Sequence, residues 1–234
     1  MVSKLAIIAG ASRGIGATIA KELSENGYIV LLLARDKEGL NHVAGYIQAE
    51  GGAAHALAVD IATKEGVEEV ARFVKNFDGE LTLLVHSAGM ARVNPIEHVS
   101  LEDWQETLRI NLTGPFLLTQ KMLPFLKAGS QVIFINSVSG KKAFSEWGAY
   151  SVSKFGLRAL ADTLRAELAK RQIRITSIFP AAVNTTRQDV LPFDWDSNKM
   201  MKAVDIAQAV LYCIRQAPHI QISEIDLENI AGKF

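Results

Sequence analysis

The sequence predicts a doubly wound α/β fold, a parallel sheet of about seven strands with helices on both faces. Three observations predict it. Short apolar runs alternate with longer helical stretches along the whole chain. Most of these runs are apolar at consecutive positions, which is typical of parallel strands buried on both faces. No low-complexity linker interrupts the 234 residues, so we expect a single domain over residues 1–234.

Each predicted strand is a short apolar run, mostly flanked by Gly, Asn, Asp or Pro. The strands are predicted at residues 5–9, 28–34, 54–59, 81–86, 131–136, 173–179 and 219–225. Helices are predicted between them, at residues 15–26, 38–50, 64–77, 101–126, 149–171 and 204–216. This alternation favours right-handed strand-helix-strand crossovers.

Composition narrows the function classes. The 25 Lys and Arg residues balance 25 Asp and Glu residues, so no net field attracts nucleic acid or an anionic membrane. The single cysteine, Cys213, cannot form an intramolecular disulfide, and no Cys/His pattern indicates a metal site. Neither a signal-like segment nor a membrane-spanning apolar run is evident. We therefore expect a cytoplasmic protein without a metal ion.

A glycine-rich turn follows the first predicted strand and begins the first helix. Gly10, Gly14 and Gly16 would allow a tight turn and a close approach of the backbone to a pyrophosphate, next to unpaired helix N–H groups. The alternative is that these glycines only let the strand and helix pack closely. The turn predicts a dinucleotide site on a Rossmann-type fold. Its expected contacts are Gly10, Ser12, Arg13, Gly14, Ile15 and Gly16.

Arg35 follows the second strand, where an NAD-specific protein would carry an acidic residue. A guanidinium suits a 2′-phosphate, and Arg13 in the glycine turn offers a second cation. These residues favour NADP(H) over NAD(H). Two alternatives stay open, since both arginines could simply be solvated and Asp36 could reach a ribose hydroxyl.

Two further strand ends provide candidate cofactor contacts. Asp60, followed by Ile61, could accept a hydrogen bond from an adenine amino group, or could cap the next helix. After the fourth strand, the small residues Ser87, Ala88 and Gly89 would let the cofactor lie against the backbone.

The strongest motif places Tyr150 and Lys154 one helical turn apart on the same face. Ser137 precedes this pair by thirteen residues and directly follows the fifth strand. A phenol at its reference pKa of ~10 exchanges protons poorly at neutral pH, and a neighbouring ammonium favours its ionised form. The three residues predict proton transfer to or from a substrate oxygen.

The order and spacing of these motifs, together with Asn111 and the segment from Pro180 to Thr185, resemble the short-chain dehydrogenase/reductase family over nearly the whole chain. The resemblance implies an NADP-dependent enzyme that reversibly reduces a ketone or aldehyde. It makes Tyr150 the acid and base, and Ser137 the hydrogen-bond donor to the substrate oxygen. It also implies that Lys154 binds the nicotinamide ribose, and that Asn111 holds a water linking the lysine to solvent.

The resemblance also assigns the segment after the sixth strand. Pro180, Val183 and Thr185 match residues that approach the nicotinamide, whereas Ala181 stands where the family usually has glycine. A second departure is that His86 and Ser87 replace an Asn-Asn pair.

Four aromatic residues flank the predicted catalytic region on two loops: Phe144, Trp147, Phe193 and Trp195. We expect them to line a pocket for an apolar or aromatic carbonyl compound, with residues 182–203 forming the substrate loop. Ordinary loop packing is the alternative interpretation.

Two other functions remain open from the sequence. One is a 3-oxoacyl-[acyl-carrier-protein] reductase, although the C-terminal Gly-Gly common in those reductases is absent. The other is a non-catalytic NADP(H)-sensing protein, which would bind the cofactor without turnover. By family resemblance we also expect a homodimer or homotetramer formed through the helices containing Asn111 and Lys154.

Overall fold

A parallel sheet forms the centre of the protein in a computed structural model, which describes residues 2–185 and 196–231. Its strands run in the order β3-β2-β1-β4-β5-β6-β9, and every pair is parallel. A separate small sheet pairs β7 with β8. The strands are β1 (Lys4–Ala9), β2 (Ile29–Ala34), β3 (Ala54–Ala58), β4 (Glu80–His86), β5 (Gln131–Ile135), β6 (Arg174–Pro180), β7 (Val183–Asn184), β8 (Met201–Lys202) and β9 (Glu224–Leu227).

Helices cover both faces of the seven-stranded sheet, which confirms the predicted fold class. They are α1 (Gly14–Glu25), α2 (Lys37–Ala49), α3 (Lys64–Asn76), α4 (Leu101–Leu108), α5 (Gly114–Met122), α6 (Gly148–Leu168) and α7 (Ala203–Ile214). One core lies between the sheet and α1, α2 and α7, and the other between the sheet and α3, α5 and α6. In β1, Ala6 and Ile8 face the first core and Leu5 and Ile7 the second, which explains the consecutive apolar residues.

Side-chain caps fix where several helices begin. Asp36 caps α2 by accepting from the Gly39 N–H, Thr63 caps α3, and Ser100 caps α4. Helix α1 differs, because no hydrogen bond from the Arg13 side chain caps it in the described structure. The first N–H groups of α1 therefore remain available for a ligand.

The predicted helical stretch over residues 101–126 is helical from Leu101 to Phe125, but it is not α-helical throughout. A π-helical segment, Arg109–Thr113, separates α4 from α5, and a 3₁₀ turn, Leu123–Phe125, follows α5. The interruption lies at Asn111, whose side chain bonds to Met90 on a loop outside the helix. Such π segments are frequent at functional sites.

The last strand was also predicted in the wrong place, at residues 219–225 instead of Glu224–Leu227. Ahead of β9, a side chain substitutes for the strand backbone. Gln221 accepts from the Ile175 N–H at 3.1 Å and donates to the Ile175 carbonyl at 2.7 Å. Gln221 therefore follows the edge of the sheet through its side chain, and the backbone ladder with β6 begins only at Ser223, whose carbonyl accepts from the Ser177 N–H at 3.0 Å.

The topology places a ligand site before any side chain is considered. Strand β1 lies between β2 and β4, so the chain leaves β1 in one direction and later resumes on its other side. In open α/β sheets, ligands bind at the carboxyl ends of the strands beside this switch point.

Candidate functional site

A cleft of about 1010 Å³ opens at the carboxyl ends of the central strands. Twenty of the predicted site residues line it: Gly10, Ser12, Arg13, Gly14, Ile15, Gly16, Arg35, Asp60, Ile61, Ser87, Ala88, Gly89, Ser137, Phe144, Trp147, Tyr150, Lys154, Pro180, Val183 and Thr185. Asn111 lies behind the wall of the cleft. Phe193 and Trp195 lie outside the described residues, as does much of the predicted substrate loop.

The glycine turn leaves no room for larger side chains at two positions. Gly10 has φ +83°, and a Cβ there would lie 2.5 Å from the Ala88 backbone nitrogen. A Cβ on Gly16 would lie 2.1 Å from the Gly10 carbonyl oxygen. With the start of α1 free of a side-chain cap, this turn is built as an anion site and fits a pyrophosphate.

The arginines expected near a 2′-phosphate lie at the rim of the same cleft. Arg13 is exposed, and the Arg35 side chain is 62% exposed with one ion pair, to Glu106 at 3.4 Å. Asp36, the alternative ligand for a ribose hydroxyl, accepts a 3.0 Å hydrogen bond from the Gly39 N–H as the cap of α2.

Asp60 is held by two groups of the protein. Its Oδ1 accepts from the Ala62 N–H at 2.9 Å, and its Oδ2 accepts from Arg109 at 2.8 Å. Thr63, not Asp60, caps α3, so the capping interpretation of Asp60 is wrong. The carboxylate is part of the cleft wall.

Ser137 and Tyr150 reach the cleft from two consecutive elements after β5. Ser137 begins a 3₁₀ turn, Val138–Gly140, and its Oγ accepts from the Ser139 N–H at 3.1 Å. Tyr150 lies in the first turn of α6 and is 7% exposed, with its ring edge-on to Trp147 at 5.4 Å between centroids. The serine hydroxyl proton thus remains free to be donated into the cleft.

Lys154 is a buried cation beside the tyrosine. Its side chain enters the cleft from α6, and its ammonium donates to the Ile135 carbonyl at 3.1 Å. The ammonium lies 5.7 Å from the centroid of the Tyr150 ring. Because Lys154 is only 3% exposed, its charge acts through a medium of lower dielectric than water.

Asn111 connects the loop after β4 to helix α6. Its Nδ2 donates to the Met90 carbonyl at 2.8 Å and to Ser153 Oγ at 2.9 Å, while its Oδ1 accepts from the Met90 N–H at 2.7 Å. Ser153 in turn donates to the Tyr150 carbonyl at 2.6 Å. The asparagine side chain therefore links the cleft loop at Met90 to the first turn of α6, which carries Tyr150.

Sequence reasoning missed two charged residues at this site. Glu106 lines the cleft, and Arg109 joins Glu106 to Asp60. Their i,i+3 spacing, just before Asn111, was the available signal for a charged pair. What no local pattern indicates is that Asp60 and Arg35, from two other elements, reach this pair.

His86 is the buried residue at one of the two positions where the family resemblance expects asparagine. Its Nε2 lies 2.8 Å from Thr119 Oγ1, and its ring stacks on Phe134 with centroids 4.8 Å apart. Burial lowers the pKa of His86 to about 3, so the ring is neutral at physiological pH. It packs beneath the site and does not line the cleft.

The described residues contain no cluster of three or more His, Cys, Asp or Glu side chains able to hold a metal ion. Within that part of the chain, no helix has the length and apolar character to cross a bilayer.

Comparisons with known proteins agree with this architecture. The short chain dehydrogenase family model matches residues 4–192. An uncharacterized oxidoreductase of Staphylococcus saprophyticus is 33% identical over 230 residues, covering 97% of both chains.

Two solved structures are similar over nearly their full length. A dehydrogenase/reductase from Sinorhizobium meliloti superposes with a TM-score of 0.90 at 27% identity, covering 100% of this chain and 96% of that one. An alcohol dehydrogenase from Thermococcus sibiricus, complexed with 5-hydroxy-NADP, has a TM-score of 0.91 at 27% identity, covering 99% and 98%. With its fold, its cleft and the family match in agreement, this chain is an oxidoreductase of the short-chain dehydrogenase/reductase family.

Proposed function

We propose that this oxidoreductase reduces a ketone or aldehyde to an alcohol with NADPH, and oxidises the alcohol with NADP⁺ in the reverse direction. The observation that carries the proposal is the meeting of Ser137, Tyr150 and Lys154 with the glycine turn on one cleft. When bound there, the nicotinamide cofactor supplies or accepts the hydride. The residues of the protein must then transfer one proton and stabilise the negative charge that develops on one oxygen.

Tyr150 donates that proton to the carbonyl oxygen during reduction and takes it back during oxidation. Ser137 donates a hydrogen bond to the same oxygen, where negative charge develops. Its Oγ already accepts from the Ser139 N–H, which directs the hydroxyl proton away from that donor. Lys154 stabilises the phenolate left on Tyr150 and binds the nicotinamide ribose.

Asn111 completes the catalytic set by family resemblance. Its contacts with Met90 and Ser153 support a positioning contribution, because they tie the cleft loop to the turn that carries Tyr150. The family water between Asn111 and Lys154 is part of the proposal.

We propose NADP(H) rather than NAD(H) as the preferred cofactor. Arg13 and Arg35 lie exposed at the rim of the cleft, whereas the Asp36 carboxylate is engaged as a helix cap. Two similar structures support the choice, since the Thermococcus sibiricus alcohol dehydrogenase carries 5-hydroxy-NADP and a Burkholderia cenocepacia short chain dehydrogenase carries NADP. The remaining cofactor contacts in this proposal are Asp60, Ile61, Ser87, Ala88, Gly89, Pro180, Val183 and Thr185.

The substrate is proposed to be a small apolar or aromatic carbonyl compound. Phe144 and Trp147 line the cleft next to Tyr150, and the Trp147 ring contacts the tyrosine ring directly. Phe193 and Trp195 remain predicted members of this pocket.

We also propose a cytoplasmic homodimer or homotetramer. The helices around Asn111 and Lys154 expose Phe116, Val152 and Phe155, each at least 42% accessible, and a second copy of the chain would cover them. Light scattering of the purified protein, compared with the variant Phe155→Glu, tests this assembly. A monomeric wild-type protein would contradict it.

The central experiment follows NADPH oxidation with aldehydes, aromatic ketones, diketones and a 3-oxoacyl thioester, for the wild-type protein and Tyr150→Phe. We expect turnover with at least one small carbonyl compound, and a loss of about 10²-fold or more in the variant. The matched control is Tyr212→Phe, which removes the hydroxyl of an exposed tyrosine on α7 and is expected to retain full activity. NADPH binding is measured separately by titration.

Each outcome discriminates between functions. Turnover only with the thioester would favour the acyl-carrier-protein reductase. Tight NADPH binding with no turnover on any carbonyl compound would favour the sensor. Equal activity of the wild-type protein and Tyr150→Phe would overturn the assigned role of the tyrosine.

The cofactor preference is tested by Arg35→Ala. We expect the KM for NADPH to rise about tenfold and the KM for NADH to stay unchanged.

A further inference from the structure

Four charged side chains form a continuous row of ion pairs along one wall of the cleft, beside the carboxyl ends of β2 and β3. They are Asp60, Arg109, Glu106 and Arg35. Asp60 accepts from Arg109 at 2.8 Å, and Arg109 binds Glu106 through two of its nitrogens, one of them at 2.8 Å. Glu106 then accepts from Arg35 at 3.4 Å. The contacts join residues from three separate elements, so this arrangement belongs to the folded cleft and to no local motif.

The two arginine contacts of Glu106 differ in geometry and exposure. Arg109 and Glu106 form a bidentate pair in which both side chains are about one-third exposed, 31% and 32%. Arg35 makes a single long contact to Glu106 and is 62% exposed. An exposed single ion pair contributes little to stability, whereas bidentate pairs are the strong ones. Glu106 is therefore fixed, and Arg35 can leave it at small cost.

The bidentate contact also keeps Glu106 negatively charged. Its hydrogen bond to Arg109 lowers the pKa of the Glu106 carboxyl below the usual range. A fixed carboxylate thus lies within 3.4 Å of the arginine expected to receive a 2′-phosphate.

A phosphate bound to Arg35 would have to displace Glu106 from the guanidinium, and would then lie close to a second anion. Both effects weaken binding of the phosphorylated cofactor and leave the unphosphorylated cofactor unaffected. We propose that Glu106 is a specificity-determining residue, whose carboxylate restrains Arg35 and narrows the preference for NADP(H) over NAD(H). This inference rests on the proposed NADP(H) function of the same cleft.

The test is equilibrium binding of NADPH, NADH, 2′,5′-ADP and 5′-AMP to the wild-type protein and Glu106→Gln. We expect the variant to bind NADPH and 2′,5′-ADP about fivefold more tightly, with NADH and 5′-AMP unchanged within about twofold. The matched control is Glu102→Gln, which removes one negative charge from an exposed position on the same helix, away from the cleft. It is expected to change none of the four affinities by more than about twofold.

The same substitution in an Arg35→Ala background isolates the contact. There we expect a gain of less than about twofold for 2′,5′-ADP, because the restraint on Arg35 no longer exists. Equal gains in both backgrounds would assign the effect to overall charge and overturn the inference. An unchanged or weaker affinity of Glu106→Gln for NADPH would overturn it as well.

Two measurements keep the test decisive. Should Glu106→Gln fail to fold, Glu106→Asp is the second variant, because its shorter side chain keeps a carboxylate near Arg109 and moves it away from Arg35. We expect the affinity of Glu106→Asp for NADPH and 2′,5′-ADP to rise about twofold. A wild-type protein that binds none of the dinucleotides would contradict the proposed function itself. Wild-type binding of NADPH without any gain in the variants would contradict only the role of Glu106.

Discussion

Asn111 holds Met90 through both ends of its side-chain amide, with one hydrogen bond to the Met90 carbonyl at 2.8 Å and one from the Met90 N–H at 2.7 Å. Asn111 is fully buried, in the π-helical segment between α4 and α5. Met90 lines the cleft on the loop after β4. One side chain thus provides hydrogen-bond partners for both backbone groups of Met90, and fixes this part of the loop beside the site.

The first prediction concerns this contact. Asn111→Leu keeps the number and branching of the side-chain heavy atoms but removes the partners of the Met90 N–H and carbonyl and of Ser153. Because buried polar groups without partners are costly, we expect the free energy of unfolding to fall by about 2–4 kcal/mol. Urea denaturation followed by circular dichroism measures it. Asn41→Leu, at an exposed position of α2, is the control and is expected to change stability by less than about 0.5 kcal/mol. A variant as stable as the wild-type protein would contradict the structural importance of the contact.

A second prediction separates backbone strain from steric overlap at Gly10. Gly10 and Gly27 have nearly the same backbone dihedral, φ +83° and +82°, but a Cβ on Gly27 would meet nothing within 4 Å. Gly27→Ala is therefore expected to cost only the strain, about 1 kcal/mol. Gly10→Ala adds the overlap with the Ala88 backbone, so we expect a loss of about 3 kcal/mol or more, and NADPH binding weakened at least tenfold. Equal losses of stability in the two variants would show that the close approach to Ala88 is unimportant.

Interior strands could be predicted from sequence almost to the residue. Strand β5 was predicted at residues 131–136 and observed at Gln131–Ile135, because burial on both faces requires a run of apolar side chains that is visible locally. The errors have non-local causes. The π-helical segment of the long helix contains Asn111, which bonds to a residue 21 positions away, and Gln221 replaces a strand partner through contacts 46 positions away.

The candidate site divides in the same way. The glycine turn and the Tyr150/Lys154 pair could be predicted because their residues lie close together in sequence at characteristic spacings. The row of ion pairs formed by Asp60, Arg109, Glu106 and Arg35 could not be predicted from such spacings. Arg35 and Glu106 are 71 positions apart, and Asp60 and Arg109 are 49 apart, so only the folded sheet brings them together.

A third prediction concerns the ion cluster behind Ser137. The Lys141 ammonium lies 2.8 Å from a Glu224 carboxylate oxygen and 2.7 Å from an Asp226 carboxylate oxygen. It also lies 4.2 Å from the centroid of the Phe179 ring. These contacts attach the turn after Ser137 to the edge of the sheet. Lys141→Met should lower the free energy of unfolding by about 1 kcal/mol at low ionic strength, and by less in 1 M NaCl, because salt screens partly exposed pairs.

The control for this cluster is Lys127→Met. It breaks an exposed ion pair with Glu80, whose side chains are 70% and 42% accessible, and we expect a change below about 0.5 kcal/mol. Urea titrations at both salt concentrations measure the effect. A loss in Lys141→Met that is identical at low and high salt would show that apolar packing against Phe179, and not the ion pairs, fastens the turn.

The final prediction is a loss of stability in acid caused by His86. Burial lowers the pKa of His86 to about 3 in the folded protein, against the ordinary value of 6.5. Below pH 6.5, His86 is therefore protonated in the unfolded chain but not in the folded protein. The contribution of His86 to the free energy of unfolding, fully present above pH 6.5, is lost progressively as the pH falls toward 3. At pH 5 the loss from this residue is about 2 kcal/mol.

His86→Asn tests this assignment, since asparagine does not titrate and can still form a hydrogen bond with Thr119. We expect the variant to lose less stability than the wild-type protein between pH 7 and pH 5, by about 2 kcal/mol, whatever its stability at pH 7. His219→Asn removes an exposed imidazole and should retain the wild-type decline. Unfolding free energies from urea titrations at pH 7, 6 and 5 decide the matter. Parallel declines for wild type and His86→Asn would mean that other groups, and not the buried imidazole, set the sensitivity to acid.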